Sequence, residues 1–380
     1  MIWQPRLKPL LLALMTTLCL LGWAEWILSP KLFQKTPLSW LLTSYQDDYT
    51  YISYQIHQNT KPSHQAEMVF LGGSSLREIL PDQNEIDAAL HDVAPPAVKT
   101  HLLASRNQSF TESLALVLQL APPPGSVVIF QMSSWRYSHG LDRAIEEIRM
   151  PWIPFLDPKP MQKFLASLGT NVEPSVFNLI SQRRWLTAYA LYRWYRVTLL
   201  NGQLDTEVKK CLLQTAHLHF SKSCWNIFLN TPWTPLSPPY NLHNFEHRHQ
   251  NIILNDAKKN QMADWLRYTY TPIIQFHADF TRKVILELLR VAKEREWHIF
   301  LVTLPHDSRM SVAEQGLKSF YEQMDKNFQQ AGGHIVSFVE NSTLKDNDFY
   351  DHTHVTGPGR ELFKPTLLQF IKQAWRTTHE

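Results

Sequence analysis

The stretch Met68-Val69-Phe70-Leu71-Gly72-Gly73-Ser74-Ser75-Leu76 decides the fold class. Its four apolar residues predict a short buried strand, and the two glycines that follow permit a tight turn. Residues 74–80 are predicted to form a helix, which Pro81 ends. A strand that turns directly into a helix is typical of α/β proteins.

The same alternation of strand and helix recurs along the chain. Four more buried strands are predicted at residues 99–103, 127–132, 299–304 and 334–338. Helices are predicted at residues 111–120, 141–150, 273–297, 312–330 and 361–375. Five short apolar strands separated by helices predict an α/β three-layer sandwich with a five-stranded parallel sheet.

The chain has 380 residues, which exceeds one typical domain without requiring two. The alternation is lost where Trp, Tyr, Pro and His become frequent, which predicts a mostly helical insertion. The predicted segments are an anchor (1–28), a connector (29–66), the first half of the core (67–150), the insertion (151–271) and the second half of the core (272–380).

The N-terminus carries a topological signal. Arg6 and Lys8 precede an apolar run that extends to Leu28 and is long enough to span a bilayer. The basic flank favours a cytoplasmic N-terminus, which would place the remaining chain in the periplasm. A cleaved signal peptide is the alternative, with a small-x-small site at Gly22 and Ala24. We expect a retained signal anchor, a single transmembrane helix in the inner membrane.

Composition excludes several function classes. The formal net charge of +3 is too small to indicate a nucleic-acid partner. The chain has no zinc-finger spacing, P-loop or dinucleotide fingerprint, so we expect no metal and no cofactor. His243, His247 and His249 could bind a metal, but their polar neighbours favour a solvated surface. Cys211 and Cys224 bracket a short loop and are expected to form a disulfide; two unpaired thiols are the alternative.

Three residues suggest serine chemistry. A serine hydroxyl needs a base within hydrogen-bond reach, and the base needs a third group to orient it. Ser75 follows the first predicted strand, whereas Asp351 and His354 follow the last one. Reactive residues in parallel sheets lie at the carboxyl ends of the strands, so the topology would let these segments meet. We predict a catalytic triad of Ser75, His354 and Asp351.

The predicted nucleophile and the predicted base each have an alternative nearby in the sequence. Ser74 is adjacent to Ser75, and His352 lies between Asp351 and His354. The three-residue spacing lets Asp351 orient His354 within one turn, which favours His354 as the base. Backbone N–H groups at the turn, including that of Gly73, are candidates to stabilise an oxyanion.

The segment Val69–Leu76 resembles the nucleophile block of SGNH hydrolases, in which a strand is followed by Gly-Asp-Ser-Leu. Gly73-Ser74-Ser75-Leu76 aligns with that block, with Ser74 in place of Asp, and this register favours Ser75. The segment from Phe349 to Val355, with Gly357, looks like the final Asp-x-x-His block. The resemblance covers residues 65–150 and 272–378 and implies a flavodoxin-like SGNH core.

Two blocks depart from this family pattern. The second block normally offers a Gly to the oxyanion hole, whereas residues 105–109 contain none and Asn107 is the candidate for its place. The third block normally carries Gly-x-Asn-Asp, whereas residues 131–135 contain no Asn. The oxyanion or substrate candidates are therefore Gly73, Ser74, Asn107 and Ser133.

The Gly-Ser-Ser variant and the N-terminal run look most like the subgroup that acts with membrane-bound O-acyltransferases. That subgroup includes alginate acetylation proteins and the protein for D-alanylation of lipoteichoic acid. The resemblance implies extracytoplasmic O-acyl transfer, such as O-acetylation, or ester hydrolysis, on a polysaccharide through an acyl-serine intermediate. It also implies a membrane O-acyltransferase as partner. The alternative is a catalytically degenerate module that binds glycan or scaffolds such a partner.

Overall fold

The computed structural model describes residues 7–27, 35, 38, 48–58, 64–80, 83–94, 98–149, 156–172, 253–339 and 343–379. The chain divides into two compact units, one of residues 1–44 with 176–238 and one of residues 45–175 with 239–380. Every predicted catalytic residue belongs to the second unit. The predicted disulfide partners Cys211 and Cys224, and the histidines of residues 243–249, lie outside the described residues.

Helix α1 (Leu7–Ile27) belongs to the first unit. Large apolar side chains on it are more than half exposed, among them Leu12 and Met15. Among the residues that the structure describes, however, none of the helices combines the length and the apolar character that a membrane crossing requires. The predicted transmembrane helix is therefore not supported.

The second unit alternates strands and helices as predicted. Its first part contains α2 (Asp48–Gln58), β1 (Met68–Leu71), α3 (Ser74–Ile79), α4 (Gln83–Leu90), β2 (Thr100–Leu102), α5 (Phe110–Leu120), β3 (Val127–Met132), α6 (Ser134–Tyr137), α7 (Leu141–Arg149) and α8 (Lys159–Ser167). Its second part contains α9 (Asp256–Trp265), a π-helical turn (Leu266–Tyr270), α10 (Thr271–Glu294), β4 (His298–Thr303), α11 (Ser308–Ala313), α12 (Lys318–Gln330), β5 (His334–Ser337) and α13 (Gly357–His379).

The five strands form one parallel sheet in the order β2-β1-β3-β4-β5. Met68 at the start of β1 pairs with Thr100 on one side and with Val127 on the other. This strand order is that of flavodoxin-like doubly wound sheets. The predicted α/β class and five-stranded parallel sheet are confirmed.

Helices cover both faces of the sheet. Val69 and Leu71 of β1 pack into a core with residues of α5 and α10, whereas Met68 and Phe70 pack into a second core with residues of α4 and α13. Because successive strand residues point to opposite faces, burial of both faces requires an unbroken apolar run. This is why the strands were recognisable as short apolar segments, and the three-layer arrangement follows from it.

Two helices in the predicted connector and insertion contribute to the core. Helix α2 lies in the predicted connector, but its Ile52 and Ile56 are buried in the same core as α5. Met161 and Phe164 of α8, in the predicted insertion, are buried there too. These helices were missed because each contributes one narrow apolar stripe, with no neighbouring strand to mark it as part of the core.

The strand order creates a crevice at one point of the sheet. Strands β1 and β3 are neighbours although β2 lies between them in sequence, so the connections that leave β1 and β3 proceed in opposite directions. In such sheets ligands bind outside the carboxyl ends of the strands at this switch point. Ser74 follows β1 and Ser133 follows β3, so both lie at this edge.

Candidate active site

The structure brings Ser74, rather than the predicted Ser75, to the histidine. The Oγ atom of Ser74 lies 2.6 Å from Nε2 of His354. Ser74 is the first residue of α3, and Ser75 is rotated from it by about 100° around the helix axis. The serine expected beside the imidazole is therefore corrected from Ser75 to Ser74, because the turn after β1 directs the first helical side chain toward His354.

Asp351 and His354 form the predicted pair. Oδ2 of Asp351 lies 2.7 Å from Nδ1 of His354, and Oδ1 accepts backbone N–H groups of Thr353 and His354 at 2.8 and 2.9 Å. A bridge between Phe349 and Val355 closes this loop into a small antiparallel hairpin. The spacing of three residues therefore allows Asp351 to contact His354, because the hairpin folds the carboxylate back onto the imidazole.

The contacts of His354 define its tautomer. Because the carboxylate of Asp351 faces Nδ1, the neutral form of the imidazole carries its proton on that nitrogen and leaves Nε2 to accept from the hydroxyl of Ser74. Burial opposes ionisation of Asp351, but the hydrogen bond and charge of His354 outweigh it and hold the pKa of Asp351 well below its usual value. The carboxylate thus stays ionised at neutral pH.

His352 does not occupy the base position. Its Nδ1 lies 4.0 Å from Oδ1 of Asp351, and burial lowers the pKa of its imidazole. Its carbonyl oxygen accepts the backbone N–H of Asp307 at 3.0 Å, which ties the hairpin to the segment after β4. His352 is a structural neighbour of the pair, and His354 is the imidazole that contacts a serine.

Two glutamine side chains shape the turn that carries Ser74. The N–H of Gly72 donates to Oε1 of Gln108 at 3.0 Å, and the N–H of Gly73 donates to Oε1 of Gln131 at 2.8 Å. The predicted oxyanion donor Gly73 is therefore already engaged in a hydrogen bond. Each glutamine side chain is buried, so the turn is held by two amide contacts shielded from water.

The two glycines of this turn differ in what they tolerate. A Cβ atom at Gly72 would lie 2.9 Å from both Cβ of Gln131 and Cδ2 of Leu76, which is closer than real Cβ atoms approach. At Gly73 the nearest atom, Oε1 of Gln131, would lie 3.6 Å away. Gly72 is required for close approach of the turn to β3, whereas Gly73 is not.

Buried Arg136 connects β3, which carries Gln131, to the loop that carries Gln108. Its Nη1 donates to the carbonyl oxygen of Gln131 at 2.5 Å, and its Nη2 donates to the carbonyl oxygen of Ser109 at 3.0 Å. Burial lowers the pKa of Arg136 to about 10, so the guanidinium remains charged at neutral pH.

A buried carboxyl group on α5 also has a shifted pKa. Burial and the nearby Glu147 raise the pKa of Glu112 to about 8.

The remaining oxyanion candidates lie on neighbouring loops. Asn107 is exposed and adopts a positive φ of 54°, and none of the hydrogen bonds of the described residues joins its side chain to Ser74. Ser133 is half-buried directly after β3, and its side chain makes no capping hydrogen bond to α6. Of the two, Ser133 has the better position, because β3 is the direct neighbour of β1.

A buried ion pair fixes the helix of Ser74. Arg77 on α3 pairs with Asp48 at the start of α2, and both side chains are almost fully buried. Oδ2 of Asp48 also accepts the backbone N–H of Arg106 at 3.1 Å. Asp48 therefore joins α3 to the loop after β2.

Lys259 holds the hairpin in place through buried contacts, as Asp48 does for α3. Its buried Nζ lies 3.1 Å from Oδ2 of Asp307 and donates to the carbonyl oxygens of Asp346 and Phe349, both at 2.8 Å. Two of these contacts hold the start of the hairpin that presents Asp351, and the third joins Lys259 to the segment after β4. Sequence reasoning missed Lys259 because it lies on α9, inside the predicted insertion.

No protein-family model matches this chain, and no curated protein matches it in sequence. The chemistry of the site is therefore inferred from its own geometry, in which a serine hydroxyl, an imidazole and a carboxylate form one hydrogen-bonded series at the switch point of the sheet.

Proposed function

We propose that the chain is a serine O-acyl-transfer enzyme in which Ser74 carries the acyl group. The observation that supports this most is the unbroken series of contacts from Oγ of Ser74 to Nε2 of His354 and from Nδ1 to Asp351, at 2.6 and 2.7 Å. Both imidazole nitrogens are used in the way that a general base and its orienting carboxylate require.

In the proposed first step, Oγ of Ser74 attacks the carbonyl carbon of an ester or thioester while Nε2 of His354 takes the hydroxyl proton. The tetrahedral intermediate collapses, and the leaving group departs with that proton. An acceptor hydroxyl then attacks the acyl-serine, giving its proton to His354, which returns one to Ser74. Asp351 stays ionised and stabilises the imidazolium of both steps.

Two of the four predicted oxyanion candidates, Ser74 and Ser133, are kept as the proposed donors. Gly72 and Gly73 give their N–H groups to glutamine side chains, so the N–H of Ser74 at the start of α3 is the donor that we propose from the turn. The hydroxyl of Ser133 is proposed as the second donor, since it follows the neighbouring strand. Loss of one such donor typically lowers the rate by about a hundred- to a thousandfold.

The proposed acceptor, partner and location derive from the sequence resemblance to SGNH proteins that act with membrane O-acyltransferases. The acceptor is a hydroxyl of an extracytoplasmic polysaccharide, and water as acceptor would make the protein an esterase. The acyl group would arrive from a membrane-bound O-acyltransferase, and the site would work in the periplasm. Copurification of such a multi-span protein with the tagged chain would support this partnership, and its absence from crosslinked membranes would count against it.

A non-catalytic glycan-binding module is the second candidate. It is favoured by the engagement of Gly72 and Gly73, which removes two backbone donors from the place where an oxyanion hole is usual. Cleavage of p-nitrophenyl acetate separates the two functions. Binding of polysaccharide without any ester cleavage by the purified chain would favour the binding module.

The proposed nucleophile is tested with a fluorophosphonate probe, which reacts with activated serines. We expect the full-length chain to be labelled, Ser74→Ala to abolish the labelling, and Ser75→Ala to retain it. Ser75 is the matched control because it is the adjacent serine on the same helix. Persistent labelling of Ser74→Ala would contradict the assignment.

A further inference from the structure

A second buried carboxyl group lies beside the triad. Glu78 is on α3, four residues after Ser74, so the two side chains lie on the same helix face one turn apart. That face meets His354, because Oγ of Ser74 contacts its Nε2 at 2.6 Å. Glu78 is only 7% exposed and interacts electrostatically with both His354 and Asp351.

We propose that Glu78 is a positioning residue that acts through His354, as a second buried carboxylate near the imidazole that lies on the helix of Ser74 rather than on the hairpin of Asp351. Asp351 approaches from the hairpin, and Glu78 approaches from the nucleophile's own helix. The catalytic consequence rests on the proposed function, because it requires His354 to take a proton from Ser74. The coupling of Glu78 to His354 does not depend on turnover.

The electrostatics of the site agree with this placement. Burial raises the pKa of Glu78 to about 7, and the nearby Asp351 adds to this effect while His354 opposes it. Burial alone would lower the pKa of His354, but Glu78 and then Asp351 raise it to about 9. The charged and titratable groups around the imidazole are thus Glu78 on α3 and Asp351 and His352 on the hairpin.

Such an arrangement would favour the step in which charge forms. When Ser74 gives up its proton, His354 becomes a cation, and two carboxylates stabilise a cation better than one. The two carboxylates, Glu78 and Asp351, also raise the pKa of the imidazolium before the reaction, so that it loses its proton only at a higher pH. The site would therefore work best in mildly alkaline conditions, and removal of the Glu78 charge would move this optimum down in pH.

Histidine titration by NMR tests the coupling in the full-length chain labelled with ¹⁵N-histidine. The signal of His354 is assigned as the one that disappears in His354→Gln. We expect its midpoint near pH 9, and a fall of more than about one pH unit in Glu78→Gln. Glu322→Gln is the control, since Glu322 is an exposed residue of α12, and it should leave the midpoint unchanged. An unchanged midpoint in Glu78→Gln would overturn the proposal.

The unmodified chain provides a second measurement if Glu78→Gln does not fold. Ionisation of Glu78 should perturb the His354 signal with a midpoint near pH 7, before the imidazole itself titrates. A single titration at the ordinary histidine pKa of 6.5 would overturn the proposal. If fluorophosphonate labelling fails while the midpoint still falls in Glu78→Gln, the acyl-transfer function is rejected and the coupling stands.

Discussion

Ser74 and His354 are 280 residues apart in sequence, yet Oγ of the serine lies 2.6 Å from Nε2 of the histidine. The parallel sheet makes this contact possible because all its strands end at the same edge. The loop after β1 and the hairpin after β5 therefore converge, and the first residue of α3 reaches the imidazole.

Replacement of the proposed nucleophile should remove turnover. We expect Ser74→Ala to lower kcat for p-nitrophenyl acetate by more than about a thousandfold, because the variant lacks the hydroxyl that lies 2.6 Å from Nε2 of His354. Ser75→Ala should change kcat by less than about threefold. Comparable losses in the two variants, with unchanged unfolding midpoints, would contradict the assignment of Ser74.

Activity should rise with pH beyond neutrality. His354 accepts the serine proton only when neutral, and its pKa is raised to about 9, so kcat/KM should increase up to about pH 9. The free energy of unfolding should change in the opposite direction. Because the pKa of His354 is raised by folding, its contribution to stability is complete below the ordinary value of 6.5 and is lost as pH rises through about 9. A rate profile that levels off below pH 7 would contradict this prediction.

The two glycines of the nucleophile turn should respond differently to an added methyl group. Gly72→Ala places a Cβ atom 2.9 Å from Gln131 and Leu76, so we expect a loss of about 1–3 kcal/mol in the free energy of unfolding and a much lower kcat. In Gly73→Ala the nearest atom to the added Cβ lies 3.6 Å away, so the free energy of unfolding and kcat should change little. Urea unfolding and ester hydrolysis measure the two effects, and equal responses would refute the steric explanation.

Removal of the Lys259 ammonium should destabilise the hairpin. Lys259→Met leaves two carbonyl oxygens of the loop without their donor and weakens compensation of the Asp307 charge, so we expect a loss of about 2–4 kcal/mol in the free energy of unfolding. Lys258→Met is the matched control because Lys258 is exposed on the same helix. A similar unfolding midpoint for both variants would show that the buried contacts contribute little.

The sheet was predictable because its physical signal is local. Strands buried on both faces need continuous apolar runs, and β3 at Val127–Met132 has the predicted bounds. The N-cap of α5 is local as well: Ser109 accepts the N–H of Glu112, three residues further along the chain. By contrast, α2 was missed because most of its residues are polar or aromatic, so that its two buried isoleucines form no clear apolar pattern.

The site was predictable only to the level of segments. Topology brought the serine turn to the Asp351 and His354 hairpin, but the choice between Ser74 and Ser75 depends on which residue begins α3. The register of the short family motif favoured Ser75, whereas the hydroxyl at hydrogen-bond distance from His354 belongs to Ser74. Gln108 and Gln131 were not recognised because their partners are backbone N–H groups more than thirty residues away, which leave no local pattern.

The ion pair between Asp48 and Arg77 sets a lower limit on the size of an independently folding catalytic fragment. A fragment that begins at residue 67, where the apolar pattern of the core starts, would lack α2 and the carboxylate beside Arg77. In that fragment Arg77 would lose its ion pair with Asp48, and the core residues that α2 covers would be exposed to water. A fragment for expression and crystallisation should therefore begin at or before residue 45, where the compact unit begins.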